Sequence, residues 1–330
     1  MDPAKYKDVK VKRGLIYHYF YSPAAPGKPT LFFIHGFPST SFDWHRQVAH
    51  FEPKGYGLIV PDTLGYGGTS KPQEPEAFRW KLQAQDLIDV LDAENPDTVI
   101  GIGHDWGSQL LSTLAQLYQD RFAGFVWTAA SYVPPRTEEF VLQDVWQTMR
   151  KLVGSDVYGY WELFNEPDSH VVCEKNIDSF LQLVYPSAPE VWLQHLTDAG
   201  KAKAWIESNN KPGGAPWLTD QEYNTMREAL LKGGLQAPMN FYKASIANVN
   251  LQDYRDLPAE NWHIKKPALF VAASRDYVCR PASGKASMEK YAPHAEIVEL
   301  NTGHWVQLEA TEEYNAILEQ WIEKTPTARL

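Results

Sequence analysis

The residues best suited to chemistry lie in the string GHDWG, from Gly103 to Gly107. Asp105 follows an apolar run and precedes an amphipathic stretch, and an aspartate there costs desolvation free energy unless its charge is used. The string has the form of a strand, a sharp turn carrying a nucleophile, and a helix, with aspartate where serine is usual. Small residues at Gly103 and Gly107 would let strand and helix approach, and the helix N-terminus would stabilise the carboxylate. A helix N-cap is the alternative role of Asp105.

Two further titratable residues follow predicted strands late in the chain. Asp276 ends the string AASRD, and His304 lies in NTGHW. The order nucleophile, acid, histidine is the chain order of one class of hydrolytic triad, and each member comes directly after a strand. A lone loop aspartate or histidine is more commonly a surface group, but three residues at corresponding strand ends favour catalysis. We therefore predict Asp105 as nucleophile, His304 as base and Asp276 as the acid that orients it.

The loop after the first buried strand, FFIHGFPS, provides a fourth element. A loop in this position commonly donates one backbone N–H to an oxyanion hole, and the residue after the nucleophile donates the other. The predicted donors are the amides of Phe37 and Trp106. His35 and Pro38 are predicted to hold the shape of the loop.

The apolar runs and periodicities that surround these residues predict an α/β fold. Strands alternate with amphipathic helices, which favours a mostly parallel central sheet flanked by helices. The predicted strands contain Leu31 to Ile34, Tyr56 to Asp62, Thr98 to Ile102, and the later strings FAGFVWTAA, ALFVAAS and AEIVEL; helices are predicted at Trp80 to Leu91, Gly107 to Tyr118 and Thr311 to Ile322.

The strand pattern is interrupted between residues 134 and 249. This segment contains helical stretches with aromatic faces and no convincing strand, so it is predicted to be an inserted helical lid domain. Residues 1–133 and 250–330 would form the core domain. The insertion would cover the carboxyl ends of the strands, where open α/β sheets bind ligands.

These features together resemble the α/β-hydrolase-fold epoxide hydrolases. The resemblance rests on HGFP at residues 35–38, on GHDWG, on the Asp276 and His304 loops and on the helical insertion, and it covers nearly the whole chain. Members of that family also use two lid tyrosines. The string YWELFNEP resembles the first lid motif and indicates Tyr160, while MNFYKA resembles the second and indicates Tyr242. Tyr158 competes with Tyr160 for the first role, and plain packing is the alternative for each tyrosine.

The resemblance implies hydrolysis of an apolar epoxide by water to a vicinal diol, with no cofactor and no metal. A carboxylate is already ionised at neutral pH and can attack saturated carbon without a base. The two phenols would donate protons to the ring oxygen. His304 would then activate water against the ester of Asp105.

Three other functions share parts of this pattern. A haloalkane dehalogenase has the same nucleophile, base and ester and uses a tryptophan such as Trp106 for halide, but its second halide donor is often an asparagine where this chain has Phe37. A fluoroacetate dehalogenase carries arginines just after the nucleophile, where this chain has Trp106 and Ser108. A catalytically silent ligand-binding protein of this fold is the third alternative, although such proteins often lose a triad or lid residue.

Composition excludes some partners. The formal net charge of −10, without a basic cluster, argues against nucleic-acid binding. Cys173 and Cys279 match no metal or redox spacing and are expected to be reduced thiols. No signal peptide or membrane span is apparent, which predicts a cytoplasmic protein. The C-terminal Ala328, Arg329 and Leu330 resemble a peroxisomal address, with an ordinary tail as the alternative. The sequence does not indicate an oligomeric state.

Overall fold

The structure, a computed structural model that describes residues 1–326, is built around an eight-stranded mixed sheet. The order of the strands across the sheet is β1-β2-β4-β3-β5-β6-β7-β8. In chain order these strands are β1 (Tyr6–Lys10), β2 (Ile16–Ser22), β3 (Thr30–Ile34), β4 (Gly57–Pro61), β5 (Val99–His104), β6 (Gly124–Thr128), β7 (Ala268–Ala273) and β8 (Glu296–Leu300). The C-terminal tripeptide lies outside the described residues.

Strands β3 to β8 are all parallel, whereas β2 pairs antiparallel with both β1 and β4. The predicted α/β fold with a mostly parallel sheet is therefore confirmed. The carboxyl ends of the parallel strands share one edge of the sheet, and the loops that follow β3, β5, β7 and β8 meet there.

The helices fall into two sets. Those that flank the sheet are α1 (His45–Phe51), α2 (Trp80–Glu94), α3 (Trp106–Tyr118), α13 (Pro281–Tyr291), α14 (Val306–Glu309) and α15 (Thr311–Lys324). Those between β6 and β7 are α4 (Leu142–Val153), α5 (Trp161–Asn165), α6 (Ser169–Lys175), α7 (Ile177–Val184), α8 (Glu190–His195), α9 (Lys201–Glu207), α10 (Asp220–Gly233), α11 (Asn240–Ile246) and α12 (Leu251–Arg255). Residues 134–249 hold no strand in the structure beyond one isolated bridge, between Pro186 and Gly214.

Both faces of the parallel strands β3 to β7 are buried, as a continuous apolar run requires, whereas the edge strand β8 is largely exposed. In β3, Phe32 and Ile34 belong to one hydrophobic cluster, while Leu31 and Phe33 belong to the cluster on the opposite face. The first cluster continues into helices between β6 and β7, including α5 and α11. These helices therefore pack on the same core as the sheet, and we refer to α4 to α11 as the helical cover.

No helix in residues 1–326 combines the length and the apolar character that crossing a bilayer demands. The longest, α2, has 15 residues.

Candidate active site

Asp105 occupies the bend between β5 and α3. Its backbone has φ 53° and ψ −124°, a conformation that non-glycine residues rarely adopt and that the surrounding structure must enforce. The bend directs the carboxylate away from the amides of α3, and the side chain makes no capping hydrogen bond to that helix. Asp105 is thus the N-cap residue of α3 by position, but its carboxylate does not cap the helix.

Two glycines permit this bend. A Cβ on Gly103 would lie 2.6 Å from the carbonyl oxygen of Gly107, and a Cβ on Gly107 would clash with the carbonyl oxygen of Ile34. Helix α3 thus crosses strands β5 and β3 at a distance that only glycine allows. Gly36 plays the same part in the β3 loop, because a Cβ there would collide with the Asp105 carboxylate.

His304 and Asp276 converge on Asp105 from the loops after β8 and β7. His304 Nδ1 donates to Asp276 Oδ2 at 2.6 Å, and His304 Nε2 lies 3.4 Å from Asp105 Oδ2. The other oxygen of Asp276 accepts the amides of Val278 and Cys279 at 2.8 Å each. The three residues that lie far apart in sequence thus form one contiguous row, with the imidazole in the middle.

Burial and charge set the protonation of this row. Burial opposes the charged imidazole of His304, but the charge of Asp276 and hydrogen bonds with both aspartates outweigh it, and the pKa of His304 rises well above its usual range. Burial likewise opposes ionisation of Asp105, yet the hydrogen bond and charge of His304 keep its pKa below the usual value. The resting state is therefore a carboxylate beside an imidazolium.

The loop after β3 reaches the same carboxylate. The amide of Phe37 donates to Asp105 Oδ1 at 2.8 Å, as a predicted oxyanion donor should. Among residues 1–326, no hydrogen bond joins the amide of Trp106 to the Asp105 carboxylate. The ring of Trp106 stacks on Trp80, with centroids 5.4 Å apart, and packs against Trp161 at the same distance.

His35 and Pro38 lie in this loop as predicted. His35 is fully buried, its Nε2 accepts the amide of Thr63 at 2.9 Å, and its Nδ1 donates to the carbonyl of Gly36 at 2.9 Å. Burial lowers the pKa of His35 to about 4, so the neutral ring joins two loops. The peptide bond between Phe37 and Pro38 is cis, and the carbonyl of Pro38 accepts the Tyr185 hydroxyl at 2.7 Å.

Tyr160 and Tyr242 come from opposite ends of the helical cover, at the start of α5 and within α11. Their ring centroids are 5.9 Å apart, and both side chains are at least nine-tenths buried. Burial raises the pKa of each well above the usual value for tyrosine, with the charge of Asp105 adding to the effect at both. Tyr158, the competing candidate, lines a different cavity beside Cys279.

A small cavity of about 20 Å³ joins the two halves of this arrangement. The carboxylate, the imidazole and the two phenols all line it, and the remaining lining is apolar. Its walls are Asp105, His304, Tyr160, Tyr242, Phe37, Pro38, Phe164, Val184, Trp192, Leu196, Val278 and Trp305. A bound molecule would touch the carboxylate on the sheet side and both phenols on the side of the cover.

The sequence analysis missed a second buried carboxylate beneath this row. Asp43 lies in the 3₁₀ turn before α1, accepts Gln307 Nε2 at 2.8 Å, and has Oδ2 3.8 Å from His104 Nδ1. His104 Nε2 in turn donates to the carbonyl of His304 at 2.9 Å. Burial raises the pKa of Asp43 to about 7 and lowers that of His104 to about 3. An aspartate seven residues after Gly36 of the HG pair was the available signal.

Cys279 was also missed, since its spacing matched no motif. With Asp276 and His304 it places one ligand-type atom from each residue within 4.8 Å of the others. Those Asp276 and His304 atoms already bond to each other and to backbone amides, so a cation would have to displace these hydrogen bonds. Burial raises the pKa of the Cys279 thiol to about 12, which disfavours the thiolate that a metal needs.

Comparison with known proteins agrees with this architecture. The family profile described as alpha/beta hydrolase fold matches residues 29–311. The crystal structure of epoxide hydrolase A from Mycobacterium thermoresistibile superposes with a TM-score of 0.81 at 26% identity, covering 98% of this chain and 99% of that one. An epoxide hydrolase from an endophytic Streptomyces gives 0.79 at 25% identity, covering 96% and 95%.

Curated sequence relatives carry similar names. Bifunctional epoxide hydrolase 2 of Mus musculus is 26% identical over 320 residues, which are 96% of this chain but 55% of that protein. The chain therefore spans about half the length of its mammalian relatives. Epoxide hydrolase A of Mycobacterium tuberculosis is 26% identical over 304 residues, covering 90% of this chain and 91% of the relative.

Proposed function

Because the chain belongs to the alpha/beta hydrolase fold family, we propose that it is an epoxide hydrolase that converts lipophilic epoxides and water to vicinal diols. The observation that carries the proposal is the shared cavity, which an ionised carboxylate and two neutral phenols line from opposite sides. An epoxide needs both groups at once, a nucleophile at carbon and a proton donor at oxygen. The names of the relatives agree with it.

In the first step, Asp105 Oδ2 attacks a ring carbon. A carbon–oxygen bond forms to the aspartate while the ring carbon–oxygen bond breaks. The ring oxygen takes a proton from Tyr160 or Tyr242, which leaves a phenolate and an alkyl ester. The amide of Phe37 holds Oδ1, which becomes the carbonyl oxygen of that ester.

Ester formation also changes His304. The ionised Asp105 is one of two carboxylates that hold the imidazole protonated, and the ester carries no charge. The pKa of His304 therefore falls when the ester forms, its proton passes to the phenolate and restores the phenol, and a neutral imidazole oriented by Asp276 becomes available as a base.

In the second step, water attacks the carbonyl carbon while His304 takes its proton. The Phe37 amide stabilises the oxyanion, and the Trp106 amide, free of the carboxylate in the resting structure, is the second proposed donor. The acyl carbon–oxygen bond breaks, one water proton passes to the departing alkoxide, and the other stays on His304 and restores the imidazolium. The diol leaves and the carboxylate is regenerated.

The site geometry gives less support to the alternatives. The dehalogenase hypothesis needs two halide donors at the cavity. The Trp106 indole packs against the cavity-lining Tyr242, with centroids 5.2 Å apart, but Phe37 lies where the asparagine that often serves as the second donor would be. The hypothesis of a silent binding protein needs a missing group, whereas the carboxylate, the imidazole and both phenols share one cavity. We further propose that residues 134–249 act as a lid domain on a core of residues 1–133 and 250–330, and that the chain functions in the cytoplasm.

A single turnover of excess enzyme with styrene oxide in ¹⁸O-water tests the mechanism. Water oxygen should enter the Asp105 carboxyl group, detected by mass spectrometry of its peptide, and the first diol should be unlabelled. Label in the diol with an unlabelled peptide would mean direct attack by water and would refute the ester. Asp105→Ala is the matched control, and its turnover should fall at least about 10⁴-fold. Halide release from 1-chlorobutane without diol formation would instead support the dehalogenase.

A further inference from the structure

The helical cover also contacts the catalytic loops at a point outside the lining of the substrate cavity. Tyr185 directly follows α7 and is only 1% exposed. Its hydroxyl donates to the carbonyl of Pro38 at 2.7 Å, and among residues 1–326 it is the hydrogen-bond partner of that carbonyl. Pro38 lies in the loop after β3, next to the residue whose amide holds Asp105. A phenol of the cover is thus bonded to the loop that carries the oxyanion donor.

The surroundings of Tyr185 fix its hydroxyl as a donor. Burial raises the pKa of Tyr185 well above its usual value, and the charge of Asp43 adds to the effect. The Tyr185 ring stacks on the ring of Trp305, with centroids 4.1 Å apart. Trp305 Nε1 in turn donates to the carbonyl of Val184 at 2.8 Å. The ring is therefore held independently of the bond to Pro38, so this bond orients the loop rather than the tyrosine.

Few rotatable bonds separate the held carbonyl from the oxyanion donor. Pro38 follows Phe37 directly, and the proline ring fixes its own φ. The Phe37 amide donates to Asp105 Oδ1 at 2.8 Å, so this short segment is held at both ends. When Asp105 becomes an ester, its bond to the amide weakens, because an ester carbonyl is a weaker acceptor than a carboxylate. The bond from Tyr185 to the other end does not change in that step.

Other contacts of the loop hold different atoms. The Phe37 ring packs against Phe164 and Tyr242, with centroids 5.1 Å and 4.9 Å away. The carbonyl of Gly36 accepts His35 Nδ1 at 2.9 Å. Apolar packing is far less directional than a hydrogen bond, so the ring contacts do not by themselves fix the direction of the Phe37 amide.

We propose that Tyr185 is a positioning residue for ester hydrolysis, whose hydroxyl aligns the Phe37 amide with the oxyanion through the carbonyl of Pro38. The inference rests on the proposed function, because it concerns the second step of that mechanism. Negative charge develops on Asp105 Oδ1 during hydrolysis, where a well-aligned N–H lowers the barrier. In ring opening the same oxygen loses charge, so alignment does not speed that step. Removing the Tyr185 hydroxyl should therefore slow hydrolysis and spare ring opening.

Tyr185→Phe removes the hydroxyl and keeps the ring that stacks on Trp305. Quenched-flow with intact-protein mass spectrometry follows the formation and decay of the Asp105 ester during one turnover of styrene oxide. Hydrolysis should slow about tenfold, less than on outright loss of an oxyanion donor, and ring opening should change less than about twofold. Tyr223→Phe is the matched control, because its hydroxyl donates to Asp178 inside the helical cover. Both steps should stay within about twofold of native in that variant.

Equal slowing of both steps in Tyr185→Phe would mean general damage to the site, and native rates for both would mean that the hydroxyl positions nothing. Either result would overturn the inference and leave the proposed function standing, whereas a native protein that forms no Asp105 ester would overturn both. The rate constants describe folded molecules, so partial unfolding would lower the amplitudes and leave the ratio of the two steps readable. Should Tyr185→Phe not fold, Tyr185→His, whose shorter ring does not reach Pro38, should show the same selective loss.

Discussion

The carboxyl edge of the sheet and the helical cover position their functional groups by different physical means. At the sheet edge, directional hydrogen bonds and a strained backbone hold Asp105, His304 and Asp276. In the cover, ring packing holds Tyr242, whose centroid lies 4.9 Å from that of Phe164 and 5.4 Å from that of Trp161. At the sheet edge, polar partners surround the ionised groups. In the helical cover, aromatic rings surround the neutral phenols.

This difference has a chemical consequence. A buried charge is stable only with partners, so the ionised groups must lie where loop amides and an imidazole converge. Phenols need the reverse, because an apolar setting keeps their pKa high and the proton in place until an alkoxide develops. The two environments meet only at the cavity between them. Substitutions on the sheet side and on the cover side of this cavity should therefore slow different steps of the reaction.

The largest effect is expected from the sheet side, with His304→Gln. Ring opening does not require the base, but ester hydrolysis does, so turnover should fall about 10³-fold or more while the covalent adduct accumulates. Intact-protein mass spectrometry after mixing with styrene oxide should show the mass of enzyme plus epoxide. The double variant Asp105→Ala/His304→Gln is the control and should stay unmodified. An unmodified His304→Gln protein would contradict the assigned order of steps.

On the cover side, Tyr160→Phe and Tyr242→Phe should each slow ring opening by about 10- to 100-fold, and the double variant should lose about 10³-fold or more. A single phenol can still protonate the ring oxygen, which limits each separate loss. Stopped-flow measurement of ester formation separates this step from hydrolysis. Since burial raises both pKa values well above the ordinary value, ring opening in the native protein should lose no rate to phenol ionisation between pH 7 and about 9.

Tyr158→Phe is the matched control, because Tyr158 lines another cavity and should retain ring opening within about twofold of native. Equal losses in all three tyrosine variants would mean that the cover acts by packing alone. The contrast between the two regions would then be lost.

The smallest effect on activity is expected from Asp43→Asn, which tests stability beneath the sheet edge. Burial raises the pKa of Asp43 to about 7, so the fold favours its protonated form, and that stability is lost as pH rises from the unfolded value of about 4 through 7. The neutral asparagine does not titrate. Its free energy of unfolding relative to native should therefore rise by on the order of 2 kcal/mol between pH 5.5 and 8.5.

Urea unfolding at the two pH values measures this difference. A constant offset between Asp43→Asn and native protein would show that Asp43 is ionised in the fold throughout this range. Glu52→Gln, at an exposed surface ion pair with Lys5, is the control and should show no such pH dependence.

Much of the site could be read from spacing. Strands β3 to β7 overlap predicted apolar runs, because parallel strands buried on both faces leave continuous hydrophobic segments, and the largely exposed edge strand β8 overlaps the predicted strand AEIVEL. The GHDWG string identified the bend at Asp105, since its glycines answer a local steric demand. The clustering of His304 and Asp276 followed from a rule of topology, that parallel strands end at one edge. The lid tyrosines came from resemblance rather than from any physical pattern.

Other features had no local signature. Asp43 became a neighbour of the triad only through packing, and residue type alone does not reveal such a contact. The choice between Tyr160 and Tyr158 depended on the direction in which each side chain points at the start of α5.

The sequence by itself determined the strand order along the chain, the bend that carries Asp105, and the residues available as base and acid, because these follow from steric and hydrophobic demands over a few neighbours. The tertiary structure alone decided which tyrosine faces the carboxylate, which buried groups share a proton and which cavity is left unfilled. Those properties depend on distances between segments that are far apart in the sequence, and local sequence places no constraint on such distances until the core has packed.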